Sequence, residues 1–259
     1  MTLAEAVLLG VVQGLTEFLP VSSSGHLVIM QHFLGFQEAP LTFDILVHLG
    51  TVLAVIAAFW TEIMNIIRRP TQRLVVMILV ASVPTGLIGI FFKNIFEGFF
   101  VSLTVVAIGL LVTGILIWLA EYLSFGYKTV REMTIVDALF IGTIQGVAIT
   151  PGISRSGSTI AAGLFTGLDR ELAAQFSFLL SIPAILGAAL LECRHLIGGQ
   201  IEVDLLPLII GPLVAAITGF MATKIVINLV KKGRLSIFSY YCWIVALLIL
   251  VQQIFFNGR

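Results

Sequence analysis

Six apolar stretches, each near twenty residues long, most constrain what this chain can become. They lie at about 42–60, 74–92, 101–122, 172–192, 205–230 and 236–256. A helix rising 1.5 Å per residue needs about twenty residues to cross the hydrocarbon core of a bilayer, so each stretch is long enough to span it. Two further apolar pairs, 2–19 with 22–34 and 135–149 with 155–167, are shorter and broken in the middle by Pro20 to Gly25 and by Pro151 to Gly157. These read as hairpins of two short helices that enter the membrane and return on the same side. The order is hairpin, three spans, hairpin, three spans. Composition agrees: the 259 residues are 59% hydrophobic and only 11% charged, against about 25% charged in soluble domains. The expectation is a single all-α membrane domain over residues 1–259 with six spans.

That order is an internal repeat. Gln13 and Gln145 lie 132 positions apart, and at the same offset Gly10 meets Gly142, Gly14 meets Gly146, Ser22 meets Ser154, Ser24 meets Ser156, Gly25 meets Gly157 and Gly35 meets Gly167. Phe43 and Phe176 align one position further on. The repeats divide the chain at about 1–127 and 128–259. Three spans per half is an odd number, so the second half should be inverted relative to the first. Basic residues support six spans with both termini outside. Arg68, Arg69, Arg73, Lys128, Arg131, Arg170, Lys231, Lys232 and Arg234 then fall inside, against Lys93, Arg194 and Arg259 outside, the usual cytoplasmic excess. One hairpin enters from each face, and the tips meet near the midplane. The N-terminus has an acidic residue and no basic run, so a cleaved signal peptide is not expected. A formal net charge of zero argues against nucleic acid as a partner. Cys193 and Cys242 make neither a disulfide framework nor a metal site.

Charge within the hairpins carries the chemistry. Arg155 sits in Thr150-Pro-Gly-Ile-Ser-Arg-Ser-Gly-Ser-Thr159, flanked by apolar segments, and a charge at the bilayer centre costs on the order of 2.5–3.5 kcal/mol on insertion scales. It needs an anionic partner or a polar cavity. Ser154, Ser156, Ser158 and Thr159 are suited to capping a helix after the Pro151-Gly152 break, and a helix N-terminus with hydroxyls and a guanidinium can hold phosphate. The first hairpin offers Gln13 and Glu17, four apart on one helix face, then Ser22, Ser23, Ser24, Gly25 and His26. Ser23 and His26, three apart, are spaced for the imidazole to approach the hydroxyl. Glu17 needs a partner as Arg155 does, and one shared cavity would serve both. One carboxylate is too little for an all-protein magnesium cage, but Glu17 with substrate phosphates could hold a hard divalent ion.

At these positions the sequence resembles the bacterial undecaprenyl-pyrophosphate phosphatases of the bacitracin-resistance type, through Gly14-Leu-Thr-Glu-Phe-Leu-Pro-Val-Ser-Ser-Ser-Gly-His26 and Pro151-Gly-Ile-Ser-Arg-Ser-Gly-Ser-Thr159. The resemblance covers essentially the whole chain. It implies a plasma-membrane enzyme that removes the terminal phosphate of a polyprenyl pyrophosphate and recycles the lipid carrier for peptidoglycan synthesis. It also implies an inverted-repeat fold, a site open to the outer side and a divalent cation, magnesium or calcium. By position Glu17 matches the family's essential glutamate, Ser23 its nucleophilic serine, His26 its histidine and Arg155 its arginine. Ser22, Ser24, Gly25, Ser154, Ser156, Gly157 and Thr159 are the expected pyrophosphate-binding positions, with Gln13 and Gln145 in support. Gln13 stands where family members carry Glu or Gln, so it is not an obligatory acid or base. The attacking group is left open between Ser23, His26 and water.

Other residues carry plainer expectations. His32 and Asp44 should be interfacial, His195 solvated, and His48 an interhelical hydrogen-bonding residue whose repeat partner is Ser181. Gln13 and Gln145 should bond backbone opened at the hairpins. Gly86, Gly89, Gly109 and Gly114 are helix-packing candidates, and Pro84, Pro183 and Pro212 fall inside spans. An inverted-repeat transporter or lipid-phosphate flippase is the competing function, since broken helices and an arginine would suit an anionic cargo. Oligomeric state is left open, a homo-oligomer included.

Overall fold

Alternating runs of apolar residues and polar breaks give, in the computed structural model, a chain of helices joined by short turns; the structure describes residues 1–36, 41–100, 102–124, 126–196 and 204–256. Two short helices, α1 (Leu3–Phe18) and α2 (Ser23–Phe33), precede α3 (Leu41–Ala58), α4 (Trp60–Arg68), α5 (Arg73–Phe91), α6 (Lys93–Phe100) and α7 (Leu103–Leu123). The second short pair, α8 (Ile135–Val147) and α9 (Arg155–Phe165), precedes α10 (Arg170–Leu196), α11 (Leu205–Lys231) and α12 (Ser236–Phe256). Among the described residues six helices are long and apolar enough to cross a membrane: α3, α5, α7, α10, α11 and α12. Their outward faces keep large apolar side chains such as Leu79, Val83, Ile217, Ile244 and Leu248 more than half exposed, which only a lipid surround makes favourable. Arg194 and His195 have no described side chain, and Arg259 lies outside the described residues.

Two elements were not anticipated. The segment after Ala58 turns into α4 and that after Phe91 into α6, short amphipathic helices with no buried residue. Their charges fall on one side of an otherwise apolar helix, a pattern that lies along a membrane surface, and continuous hydropathy conceals such a change of direction.

The two sets of glycines in the repeat have the same task. A Cβ at Gly14 would strike Thr218 and the Ala215 carbonyl of α11, and one at Gly142 would strike the Ala81 carbonyl of α5. The first short helix of each half thus lies directly on the middle span of the other half; α1 packs on α11 as α8 packs on α5. Contacts of α3 with α11 and of α10 with α5 follow the same exchange, while α7 packs on α12. Gly109 and Gly114 also mark close approaches, to Gly152 and to Trp243. Gly86 does not, because nothing lies near its would-be Cβ.

Polar contacts tie one end of the bundle together. Arg73 at the start of α5 donates to the Met133 carbonyl at 2.6 Å, Lys231 pairs with Glu171 at 2.7 Å, and Glu121 at the end of α7 accepts the Ser236 amide of α12 at 2.7 Å. Lys128 and Asp169, which flank α8 and α9, are bonded through their backbones: Lys128 N–H to the Gly167 carbonyl at 2.9 Å and Asp169 N–H to the Lys128 carbonyl at 3.1 Å. The chain therefore leaves and returns at one place around the second short pair. Lys93, which opens α6 just beyond the far end of α5, pairs with Glu192 near the far end of α10 at 3.0 Å.

The tip of the second pair depends on Gly152, whose φ is +88° and whose Cβ would meet the Val106 carbonyl. Gly152→Ala is expected to destabilise the protein by roughly 1–3 kcal/mol for the backbone alone, with further loss from the clash. Thermal unfolding in detergent reads this, with Gly86→Ala expected to leave the midpoint nearly unchanged.

Candidate active site

Both tips are built by the same cap, and the caps face each other. Ser22 opens α2 and its Oγ accepts the Gly25 amide at 3.3 Å; Ser154 opens α9 and its Oγ accepts the Gly157 amide at 3.1 Å. Cross-bonds join them: the Gly152 amide donates to Ser22 Oγ at 3.1 Å, and Ser156 Oγ donates to the Leu19 carbonyl at 3.2 Å. From α7, Thr113 Oγ1 donates to the Gly152 carbonyl at 3.0 Å and accepts the Ser154 amide at 2.9 Å. Thr113 has no charge or motif to distinguish it in the sequence. The first amides of the two helices, at Ser23, Ser24, Arg155 and Ser156, have no hydrogen-bond partner among the described residues. Open N–H groups at a helix start are the donors that hold anions.

Glu17, 6% exposed, is the hub. Arg155 Nη2 donates to its Oε1 at 2.8 Å, while Ser23 Oγ at 2.6 Å and Gln13 Nε2 at 2.9 Å donate to Oε2. The partner anticipated for each of Glu17 and Arg155 is the other, since each charge answers the other where neither could be left alone. Arg155 Nη1 also donates to the Ser177 carbonyl at 3.3 Å, which aims the guanidinium across the gap.

Three expectations change. Ser23 is not bonded to His26; its hydroxyl is on Glu17. The His26 ring turns the other way, with Nδ1 2.8 Å from the Ser22 carbonyl one turn back and Nε2 2.8 Å from the Tyr241 hydroxyl of α12. Three residues of helix place Ser23 and His26 on one face, but the i−4 carbonyl and a distant tyrosine claim both ring nitrogens. His48 is not remote from the site, because its Nε2 is 3.9 Å from Glu17 Oε2 while Nδ1 is 2.6 Å from the Asp44 carbonyl. Its repeat counterpart Ser181 is buried and donates to the Phe178 carbonyl at 2.6 Å. The two glutamines bond side chains instead of opened backbone, Gln145 Nε2 reaching Thr85 Oγ1 at 3.3 Å.

The remaining positions divide by use. Ser22, Ser154, Ser156 and Thr159 are buried, and their hydroxyls hold the tips in shape. Thr159 Oγ1 donates to the Arg155 carbonyl at 2.8 Å and lies 2.6 Å from Ser177 Oγ. Ser23 and Ser24 are half-buried at the mouth. Gly25 and Gly157 are close-packed, a Cβ at Gly25 meeting Val106 and one at Gly157 meeting Pro20. Asp44 is not simply interfacial, since Gln31 Nε2 bonds both its carboxylate oxygens at 3.0 and 3.1 Å. Gln13 Oε1 and Gln145 Oε1 are buried without a partner.

A buried carboxylate that holds a serine hydroxyl between two open helix ends, in a bundle with six helices long and apolar enough to cross a membrane, defines a membrane protein with a polar site among its helices. Residues 6–248 match the family described as Bacitracin resistance protein BacA, and the chain belongs to that family. Among its relatives, the protein named undecaprenyl-diphosphatase from Carboxydothermus hydrogenoformans is 49% identical, covering 96% of this chain and 97% of the relative. The one of the same name from Halothermothrix orenii is 46% identical over 97% and 98% of the two chains. That from Methanobrevibacter smithii is 40% identical over 98% and 99%.

Proposed function

We infer that this chain is an integral membrane undecaprenyl-diphosphatase, which releases phosphate from undecaprenyl pyrophosphate and so recycles the lipid carrier for peptidoglycan synthesis. The observation that carries it is the 2.6 Å contact of Ser23 Oγ with Glu17 Oε2, opposite Arg155. A carrier needs groups that bind; a hydroxyl clasped by a buried carboxylate is equipped to attack.

The terminal phosphate lies against Arg155 and the open amides of the two helix ends. Ser23 Oγ gives its proton to Glu17 as it bonds to the terminal phosphorus. The bridging P–O bond breaks, its electrons stay with the lipid phosphate, and that oxygen takes a proton from Nε2–H of a charged His26. Water then attacks the phosphoserine, its proton passing to the now neutral His26, and Ser23 recovers its proton from Glu17 as inorganic phosphate leaves. Arg155 and the amides meet the charge that develops on the phosphoryl oxygens.

The donor set fits a hard divalent cation, magnesium or calcium. Gln13 Oε1 is a buried oxygen without a partner beside Glu17, and these two with the substrate's phosphates would hold the ion. Among the described residues no cluster of three or more His, Cys, Asp or Glu would hold it alone. When bound, it offsets pyrophosphate charge.

Two inverted repeats, each a re-entrant hairpin and three spans, account for the architecture. In support, contacts between helices survive exchange of the halves, and backbone bonds between Lys128, Gly167 and Asp169 close the base of the second hairpin. The basic residues gathered at that base support a reading in which it faces the cytoplasm, with both termini outside the plasma membrane and the site open to the outer side.

An apolar groove of about 180 Å³ gives the prenyl chain a seat. Its walls are mainly Ile29 and Phe33 of α2, Leu103 of α7, and Val245, Leu248 and Ile249 of α12, with His32 and Gln252 also lining it. Ile29 and Val245 are one helical turn beyond His26 and Tyr241, so the lipid-bearing phosphate falls beside the imidazole. Val245→Trp is expected to raise KM for a long-chain polyprenyl pyrophosphate about tenfold while leaving inhibition by inorganic pyrophosphate unchanged, since burial of each CH₂ contributes about 0.8 kcal/mol.

Purified protein in detergent micelles, where no transport across a membrane can occur, separates enzyme from carrier. Steady release of phosphate from undecaprenyl pyrophosphate, reduced by a chelator, is expected. Binding of the lipid with no release would establish the carrier instead.

A further inference from the structure

We propose that Tyr241 is a positioning residue for the reaction, holding the His26 imidazole in the one orientation and tautomer in which Nε2 serves the lipid-bearing phosphate. The proposal rests on the role given to His26 above. Its observation is separate: the Tyr241 hydroxyl lies 2.8 Å from His26 Nε2, across 215 positions of sequence, with the two ring planes nearly parallel at 13°.

The chemistry of the other ring nitrogen fixes the rest. Nδ1 lies 2.8 Å from the Ser22 carbonyl, and a carbonyl oxygen only accepts, so Nδ1 carries a hydrogen in either charge state. In the neutral ring Nε2 is then an acceptor and the Tyr241 O–H donates to it. In the charged ring Nε2–H donates and the phenol oxygen accepts. A hydroxyl is both donor and acceptor, so Tyr241 bonds Nε2 in either charge state and releases it only while the hydrogen passes to or from the phosphate. The imidazole can give up a proton at Nε2 and take one back without rotating.

No other titratable side chain on the neighbouring elements competes. On α1, Glu17 is taken up by Arg155, Ser23 and Gln13. On α9, Arg155 spans Glu17 and the Ser177 carbonyl. On α12, Cys242 Sγ points to the Pro20 carbonyl at 3.7 Å, and at the end of α7 Glu121 is bonded to Ser236. Tyr241 is 43% exposed and His26 is only half-buried, so an arriving headgroup can reach the pair.

The test is Tyr241→Phe in the full-length protein in detergent, which removes one oxygen atom. The expected result is a kcat about tenfold lower with KM within about twofold, and a displaced limb of the pH–rate profile, as for loss of a group that tunes a general acid–base residue. Tyr240→Phe, next door, should change neither. In a His26→Gln background Tyr241→Phe should have no further effect, because the tyrosine acts only through the histidine. Nitrogen-15 NMR of the histidines without substrate gives a readout free of turnover. The Nε2 resonance missing from His26→Gln should shift in Tyr241→Phe and hold in Tyr240→Phe. Unchanged kcat, pH profile and Nε2 resonance would overturn the proposal, as would an equal loss of kcat with and without His26. A shifted resonance in a protein that releases no phosphate would uphold the pairing and refute the phosphatase reading.

Discussion

Arg155→Ala is expected to reduce phosphate release at least a hundredfold and to lower stability at the same time. The guanidinium bridges Glu17 Oε1 at 2.8 Å and the Ser177 carbonyl at 3.3 Å, and in the proposed reaction it also faces the terminal phosphate. Without it the terminal phosphoryl group loses a fixed cation, and a preorganised charge of this kind is worth on the order of 10²–10³ in rate. Glu17 would remain as a buried carboxylate with no countercharge, and breaking a buried pair by removing one member costs about 3–5 kcal/mol. Arg155→Lys keeps the charge but loses the fork that bridges Glu17 and the Ser177 carbonyl, so it should recover stability more than rate. Steady-state kinetics and thermal unfolding of the same preparations separate the two effects. Near-normal turnover in Arg155→Ala would remove the arginine from the site.

Glu17→Gln should be more severe, a loss of about 10³-fold or greater in kcat. The substitution retains shape and can still contact Gln13 and Ser23, but an amide cannot accept the Ser23 proton, and general bases contribute about 10²–10⁴. It also leaves Arg155 without its anion. Substrate binding should persist because the open helix N-termini are untouched, so the loss should be in kcat and not in KM. Dependence on a divalent cation should weaken, since one of the two protein oxygens available to the ion becomes neutral. A Glu17→Gln protein with a raised KM and an ordinary kcat would make Glu17 a binding group only.

Much of this arrangement is legible in the chain itself because membranes make polarity expensive. Length and hydropathy mark six spans within a few residues, and Gly10, Gly14, Gly142 and Gly146, at 132-residue spacing, mark close helix crossings. Two isolated charges, Glu17 and Arg155, must meet, and they do. What could not be read were contacts between chemically ordinary residues brought together by tertiary packing. Ser23 and His26 have the spacing to interact, but spacing on a helix does not choose between neighbours. A carboxylate on the preceding helix takes the hydroxyl, while a backbone carbonyl and Tyr241 take the imidazole. His48 reaches Glu17 from a span whose pattern is wholly apolar around it. Thr113 braces the second tip and resembles any threonine in a transmembrane helix.

Those contacts put Ser23 at the centre of the account, and Ser23→Ala tests it most directly. The variant removes one oxygen from a half-buried position and should fold as the wild type does. Phosphate release from undecaprenyl pyrophosphate, measured for purified protein in detergent beside lipid binding, should fall by about three orders of magnitude with affinity for the lipid retained. Turnover within a few-fold of wild type would contradict the account, because water would then be attacking and Glu17 would be activating it in place of the serine.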